Sequence, residues 1–268
     1  MSRAPSELAA RIAVGAVLVA VALSALWLGS HAFWLLCVLM ALGVLYEWAA
    51  LDEASAGTKR LAQLALMVPL ALLSPLAIVA PAPHVPYFLA LGLIFGAALF
   101  VQGVTRRGFL AAGVVYAGLP VLALLWLRDQ PRGLEFTFWT LGLVWACDIG
   151  AYFAGRTIGG ARLAPAISPN KTWAGAIGGV VLASIVAALL HWRTGLPWRL
   201  TLATPVLAML AEGGDLFESW LKRRAGVKDS GTLLPGHGGL LDRLDGLVPV
   251  APVAAFLVML PRLQGYWG

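Results

Sequence analysis

Asp242 and Asp245 stand three residues apart in the stretch LLPGHGGLLDRLDG, residues 233–246, where a long apolar run begins. That spacing on the first turn of a helix points both carboxylates into one site. Just ahead of them Gly236, Gly238 and Gly239 allow a backbone path close to a ligand, with N–H groups free to face phosphate oxygens. His237 lies among these glycines, where a histidine is more often a hydrogen-bonding loop residue than a base or ligand. Lys222, Arg223 and Lys228 concentrate positive charge beside the acids instead of dispersing it. Magnesium prefers such surroundings: one or two carboxylates, water, and the oxygens of a nucleotide phosphate. Acidic metal ligands beside basic phosphate ligands suit Mg²⁺-dependent phosphoryl or nucleotidyl transfer.

Three segments further upstream add to this set. AEGGDLFESWLKRR places Asp215, Glu218, Ser219 and Lys222 at i, i+3, i+4 and i+7, on one helical face. Glu218 and Lys222 are also spaced as an ordinary i,i+4 ion pair where a helix leaves the lipid, whereas no basic residue lies one turn from Asp215. WACDIGAYFAGRTIGG spaces Asp148, Tyr152, Gly155 and Gly159 by four, three and four, with Arg156 beside them. A polar stripe with small residues reads as cavity-facing and closely packed. In RLAPAISPNKTWAG, Pro165 and Pro169 disfavour helix, and Asn170, Lys171 and Thr172 supply donors just before the next helix. That makes a seat for an anion such as phosphate, although the same residues also serve as a cap and turn.

The elements that must hold these side chains are membrane helices. Of 268 residues, 60% are hydrophobic and 12% charged, against about 25% charged in a soluble domain. Apolar runs of about 20 residues, enough to cross about 30 Å of hydrocarbon, recur along the chain. Nine spans are expected near Ile12–Leu28, Ala32–Trp48, Leu61–Ala80, Tyr87–Val104, Phe109–Leu127, Phe136–Phe153, Trp173–Trp192, Leu200–Trp220 and Leu247–Leu260. The first is longer than a signal-peptide core and is followed at once by a second, so it reads as an anchor. The fold class is therefore all-α, a polytopic integral membrane helix bundle. No repeat or soluble domain breaks it: residues 1–268 read as a single transmembrane domain, 1–140 as N-terminal spans and 141–268 as the catalytic half. Cys37 and Cys147 fall inside apolar runs and read as buried thiols. With the N-terminus cytoplasmic, fourteen Lys and Arg residues fall on the cytoplasmic side and five on the other, a positive-inside pattern. Topology and contact with anionic headgroups account for most of that charge. They do not account for the acids, which cost a few kcal/mol each at membrane depth. Two helices are read as carrying them, those with Asp148 and with Asp215.

The run Ser219-Trp-Leu-Lys222-Arg223, then Lys228-Asp229, Pro235-Gly-His237-Gly-Gly239 and Asp242-Arg243-Leu-Asp245 closely resembles the signature of phosphatidate cytidylyltransferases, or CDP-diacylglycerol synthases. The segment from Asp148 to Gly155, SPNKTWAG and GDLFES are also similar to that family's membrane motifs, so the resemblance covers roughly residues 145–246. It implies that CTP and phosphatidate give CDP-diacylglycerol and pyrophosphate with Mg²⁺, with or without a second cation. Under it, Asp215 and Asp242 are expected as metal ligands, with Asp245 and Glu218 as further ligands or their holders. Lys171, Lys222, Arg223, Lys228 and Arg243 would hold phosphates. Asn170, Ser219, His237, Gly238, Gly239 and Tyr152 would line the substrates, and Asp148 would stand at the cavity wall. No strong general base is required, because phosphatidate already exposes an ionised oxygen. Partners are the lipid bilayer and, by resemblance, a second copy in a homodimer; no nucleic acid is expected. The expected location is the inner (plasma) membrane, with the site facing cytoplasmic CTP and the lipid headgroup entering sideways between helices. A CTP-using kinase of polyprenol or dolichol and a transporter of anionic solutes remain as alternatives.

Overall fold

The apolar runs fold as helices, separated where the backbone must leave helical geometry. Gly29 (φ 63°) and Gly195 (φ 71°) adopt left-handed conformations at two of these breaks, which glycine enters without a Cβ penalty. The computed structural model describes residues 5–76, 85–233 and 238–265. In chain order the elements are α1 (Pro5–Leu28), α2 (Ser30–Leu51), α3 (Ala56–Leu72), α4 (Val85–Thr105), α5 (Gly108–Arg128), α6 (Gly133–Thr157), β1 (Arg162–Ala164), β2 (Ser168–Thr172), α7 (Trp173–Thr194), α8 (Trp198–Arg224), α9 (Leu241–Leu244) and α10 (Leu247–Gly265).

The molecule is an all-α membrane protein with, among the described residues, one short hairpin. Among the described residues seven helices are long and apolar enough to cross a membrane: α2, α4, α5, α6, α7, α8 and the stretch Leu241–Pro261. The third expected span, Leu61–Ala80, is corrected over its described part, and residues 77–80 of it lie outside the described residues. Its helix starts earlier than Leu61, at Ala56 after the cap Ser55, whose hydroxyl accepts from Thr58 N at 3.3 Å, and it stops at Leu72. Seventeen residues reach about 25 Å, short of the hydrocarbon thickness. The apolar part of α1 is described from Gly15 to Leu28.

The chain divides into two compact units, Met1–Val121 with Lys228–Arg243, and Leu122–Val227 with Leu244–Gly268. In the first unit α2 packs on α1 and α3, and α3 on α4. Leu45, Leu66, Leu70, Ile94 and Leu110 are fully buried there. Trp48 locks the start of α5 onto α2. Its ring stacks on Phe109 at 4.6 Å and its Nε1 donates to the Phe109 carbonyl at 2.8 Å, while Gly113 leaves the space the indole fills.

In the second unit α6 packs on α7, α8 and α10, α7 on α8, and α8 on α10. The α6 and α7 backbones approach so closely that a Cβ on Gly150 or Gly178 would collide with the facing helix; small residues permit such contact where no hydrophobic force drives helices together. Trp139 is completely buried and donates to Thr204 Oγ1 at 3.1 Å. On the outer side of α7, Ile177, Val181, Ile185 and Leu189 are exposed, spaced four apart as a lipid-facing stripe. Between α6 and α7 the chain forms the antiparallel β1–β2 hairpin, with Arg162 opposite Thr172 and Ala164 opposite Ser168. Pro165 and Pro169 keep this stretch out of helix, as their fixed φ and missing N–H require.

Candidate functional site

The acids and bases singled out in the sequence fall into two clusters, one within each unit. The second unit holds the larger. Thr172 caps α7, accepting from Gly175 N at 3.0 Å, and this fixes the residue before it, Lys171, at the end of β2. Its ammonium lies 2.6 Å from Asp215 Oδ2 and 2.9 Å from Glu212 Oε2, both on α8. Burial pulls the Lys171 pKa down, but the Asp215 and Glu212 charges and their hydrogen bonds outweigh it, so it lies above the ordinary lysine value. Ser219 Oγ donates to Asp215 Oδ1 at 3.5 Å. One turn on, Lys222 lies 2.7 Å from Glu218 Oε2, and the Glu218 side chain is 1% exposed. Asp245 sits close enough to Asp215, Asp148 and Lys171 for their charges to act on it. Its backbone is held against α8 at Gly214, where a side chain would strike the Asp245 carbonyl. Arg223 is exposed and reaches the Ile167 carbonyl of the hairpin turn at 3.4 Å.

Parts of the expected arrangement differ. Lys171 and Thr172, read as donors for an anion, are engaged internally, one with two carboxylates and one as a helix cap. The stripe on α6 is shorter than its spacing suggests, because the helix ends at Thr157 and Gly159 lies beyond it with φ 66°. Tyr152 is exposed and accepts a hydrogen bond from Arg156 Nη1 at 2.7 Å. Asp148 and Asn170 are likewise exposed.

The first unit holds the second cluster. Asp242 Oδ2 accepts from Ser230 N at 3.1 Å and from Gly239 N at 2.8 Å. The Gly239 N–H, expected to be open to a phosphate, is therefore committed to Asp242. Gly238 takes φ 81°; Lys228 and Arg243 are exposed. His237, with Leu234, Pro235 and Gly236, lies outside the described residues. Sequence reasoning missed two acids. Glu212 stands three residues before Asp215 and so shares its face, which was the available signal. Glu47 is 1% exposed on α2, a third acid-bearing helix; Ser230 Oγ donates to its Oε2 at 3.0 Å.

The close packing here yields a stability prediction. A Cβ on Gly239 would collide with Ser230 Oγ and lie 2.6 Å from Glu47 Oε2 and 2.9 Å from Gly231 N. Gly239→Ala should lower the apparent melting temperature of the purified protein by roughly 3–6 °C, as overpacking does; an unchanged melting curve would show that this turn is looser than the distances imply.

The donor chemistry fits a magnesium ion. Among the described residues no three His, Cys, Asp or Glu side chains form a metal-binding group, but magnesium takes only one or two carboxylates when phosphates and water complete its shell. Asp215 and Asp245 supply such carboxylates. A cation, the Lys171 ammonium, already lies between the Asp215 and Glu212 carboxylates.

Residues 9–260 match the family model described as the cytidylyltransferase family. The chain is similar to curated proteins named phosphatidate cytidylyltransferase. It is 40% identical over 255 residues to that of Brucella suis biovar 1 (strain 1330), covering 92% of this chain and 91% of the relative. It is 41% identical over 157 residues to that of Bacillus subtilis (strain 168), covering 57% and 58%, and 37% identical over 158 residues to that of Rickettsia bellii (strain RML369-C), covering 56% and 68%.

Proposed function

Because this chain belongs to the cytidylyltransferase family, we infer that it is a membrane nucleotidyltransferase that moves CMP from CTP to phosphatidate, giving CDP-diacylglycerol and pyrophosphate for phospholipid synthesis. The observation that carries this reading is near full-length similarity to relatives bearing that activity as their name. The chemistry of the second-unit cluster supports it.

A phosphate oxygen of phosphatidate attacks the α-phosphorus of CTP. The new P–O bond forms as the α–β anhydride bond breaks, and pyrophosphate leaves with the electron pair. Both reactants are strongly anionic, so charge neutralisation and alignment are the main tasks. Asp215 and Asp245 would hold Mg²⁺, which when bound offsets charge on the CTP oxygens and on the leaving pyrophosphate. Glu212 and Asp215 keep Lys171 charged and aimed, ready to meet a phosphate. Lys222, anchored by buried Glu218, and exposed Arg223 supply further positive charge. Asp242 as a metal ligand, and Lys228, His237, Gly238, Gly239 and Arg243 as phosphate contacts, are assigned by their place in the motif, as are Asn170 and Tyr152 beside the substrates. Asp148 is assigned to the margin of the site. No side chain need act as a strong base, since the attacking oxygen is already ionised.

The reading extends to topology. A cytoplasmic N-terminus, set by the positive-inside charge pattern, and a cytoplasmic site put the machinery where CTP is found. The location is the bacterial inner membrane, and the chain works as a homodimer.

CTP labelled in the cytosine ring, offered with phosphatidate or with a polyprenol, tests the acceptor. The expected outcome is a labelled lipid from phosphatidate only, because CMP is transferred; an unlabelled polyprenyl phosphate would establish a kinase instead.

A further inference from the structure

We propose that Glu47 is a positioning residue for the loop that carries Lys228, Gly239 and Asp242, tying its two arms together from within the first unit. An acid inside an apolar helix costs a few kcal/mol unless donors meet it. Glu47 stands in α2 with 1% of its surface exposed, and among the described residues the three donors that meet it come from this one loop. Ser230 Oγ donates to Oε2 at 3.0 Å, Leu241 N to Oε2 at 2.8 Å and Leu240 N to Oε1 at 3.0 Å. A carboxylate is the side chain that offers acceptors at both oxygens.

The course of the loop's described ends, residues 228–233 and 238–243, follows from this anchor. Ser230 lies on the incoming arm, and Leu240 and Leu241 on the outgoing arm. Asp242 completes the clasp from the other direction, its Oδ2 accepting from Ser230 N at 3.1 Å and Gly239 N at 2.8 Å. Ser230 is thus held twice, by its hydroxyl to Glu47 and by its amide to Asp242. Both arms bring glycine against the Glu47 carboxylate: a Cβ on Gly231 would collide with it, and one on Gly239 would lie 2.6 Å from Oε2. Two of the loop's glycines therefore make room for a buried acid 184 and 192 residues earlier in the chain (231 − 47 and 239 − 47). Holding Ser230 and Leu240 to one carboxylate fixes where Asp242 begins its helical turn. Glu47 touches no substrate in this role; it sets the position of residues assigned to do so, and to that extent the inference rests on the activity proposed above.

The test uses the purified full chain in phosphatidate-containing micelles, with Glu47→Gln and Ser230→Ala. Glutamine keeps the shape but turns one acceptor into a donor facing donors. Two readouts are taken: amide hydrogen exchange over the peptides covering residues 228–243 and those of α6 to α8, and kcat and KM for CTP. For Glu47→Gln, exchange in 228–243 should rise about 10- to 100-fold with α6 to α8 unchanged, and kcat/KM for CTP should fall about 30-fold, mostly through KM. Ser230→Ala, which removes a single hydroxyl bond, should show the same pattern at about 3- to 10-fold. Wild-type exchange over 228–243 in Glu47→Gln, a rise spread evenly over the whole chain, or a local rise with unaltered CTP kinetics would each overturn the proposal. If Glu47→Gln does not fold, Ser230→Ala decides by the same criteria. If the wild-type chain fails to use CTP with phosphatidate, the activity falls, while exchange still reports whether Glu47 anchors the loop.

Discussion

Asp215→Asn should lower turnover by about 10³-fold or more while leaving the protein folded, because it removes a negative oxygen from the place where charge neutralisation is organised. Asp215 serves two cations at once. Its Oδ2 lies 2.6 Å from the Lys171 ammonium, and with Asp245 it is a proposed holder of Mg²⁺. Asparagine has the same shape and still accepts from Ser219 through its amide oxygen, and Lys171 keeps Glu212 as a partner at 2.9 Å. The structural loss is therefore small and the chemical loss large. The measurement is Mg²⁺-dependent pyrophosphate release beside a thermal unfolding curve. Near-normal turnover would remove Asp215 from the metal assignment; a collapsed melting curve would recast it as a structural acid.

Lys171→Met should be more damaging to the fold. The ammonium stands between Asp215 and Glu212, and its charge also acts on Asp245. Removing it leaves acids together without their cation. Loss of one partner from a buried pair costs about 3–5 kcal/mol; since Asp215 is 36% exposed on its side chain and Lys171 18%, solvent screening brings the expectation to about 2 kcal/mol. Activity should fall by about 10²- to 10³-fold as a fixed positive charge is lost. Lys171→Arg should recover most of the stability but less of the rate, because a planar fork does not reproduce a compact ammonium. The pH dependence has a definite sign. The folded Lys171 pKa is raised, so its contribution to stability is fully present below the unfolded value of about 10.4 and is lost only as pH rises through the folded value. The stability gap between wild type and Lys171→Met should thus be level from about pH 7 to about pH 9; a gap closing near neutrality would contradict the ion pairs.

What could be read in advance followed from local periodicity. The i,i+4 spacing of Glu218 and Lys222 and of Asp215 and Ser219 is set by helical geometry alone, and both pairs form on α8. Pro165 and Pro169 likewise announced a non-helical break. What could not be read was pairing across the chain. Lys171 meets Glu212 through a 41-residue separation, and Glu47 meets Leu241 through 194; no spacing rule reports such contacts. Glu47 nevertheless left a signal, a lone acid inside an apolar run, which the membrane's cost for charge makes conspicuous. The glycines before Asp242 were read as open to phosphate because glycine permits close approach of any group. In the loop as folded, Gly239 admits the Glu47 carboxylate and Ser230. The third span was drawn too long because hydropathy carries past Leu72, where the helix ends.

The central claim is tested most directly by supplying the purified chain with CTP, Mg²⁺ and phosphatidate vesicles and following both products. The account predicts CDP-diacylglycerol and pyrophosphate in equal amounts, abolished together in Asp215→Asn. Consumption of CTP without a CMP-bearing lipid, or no consumption at all by the folded wild-type protein, would contradict it.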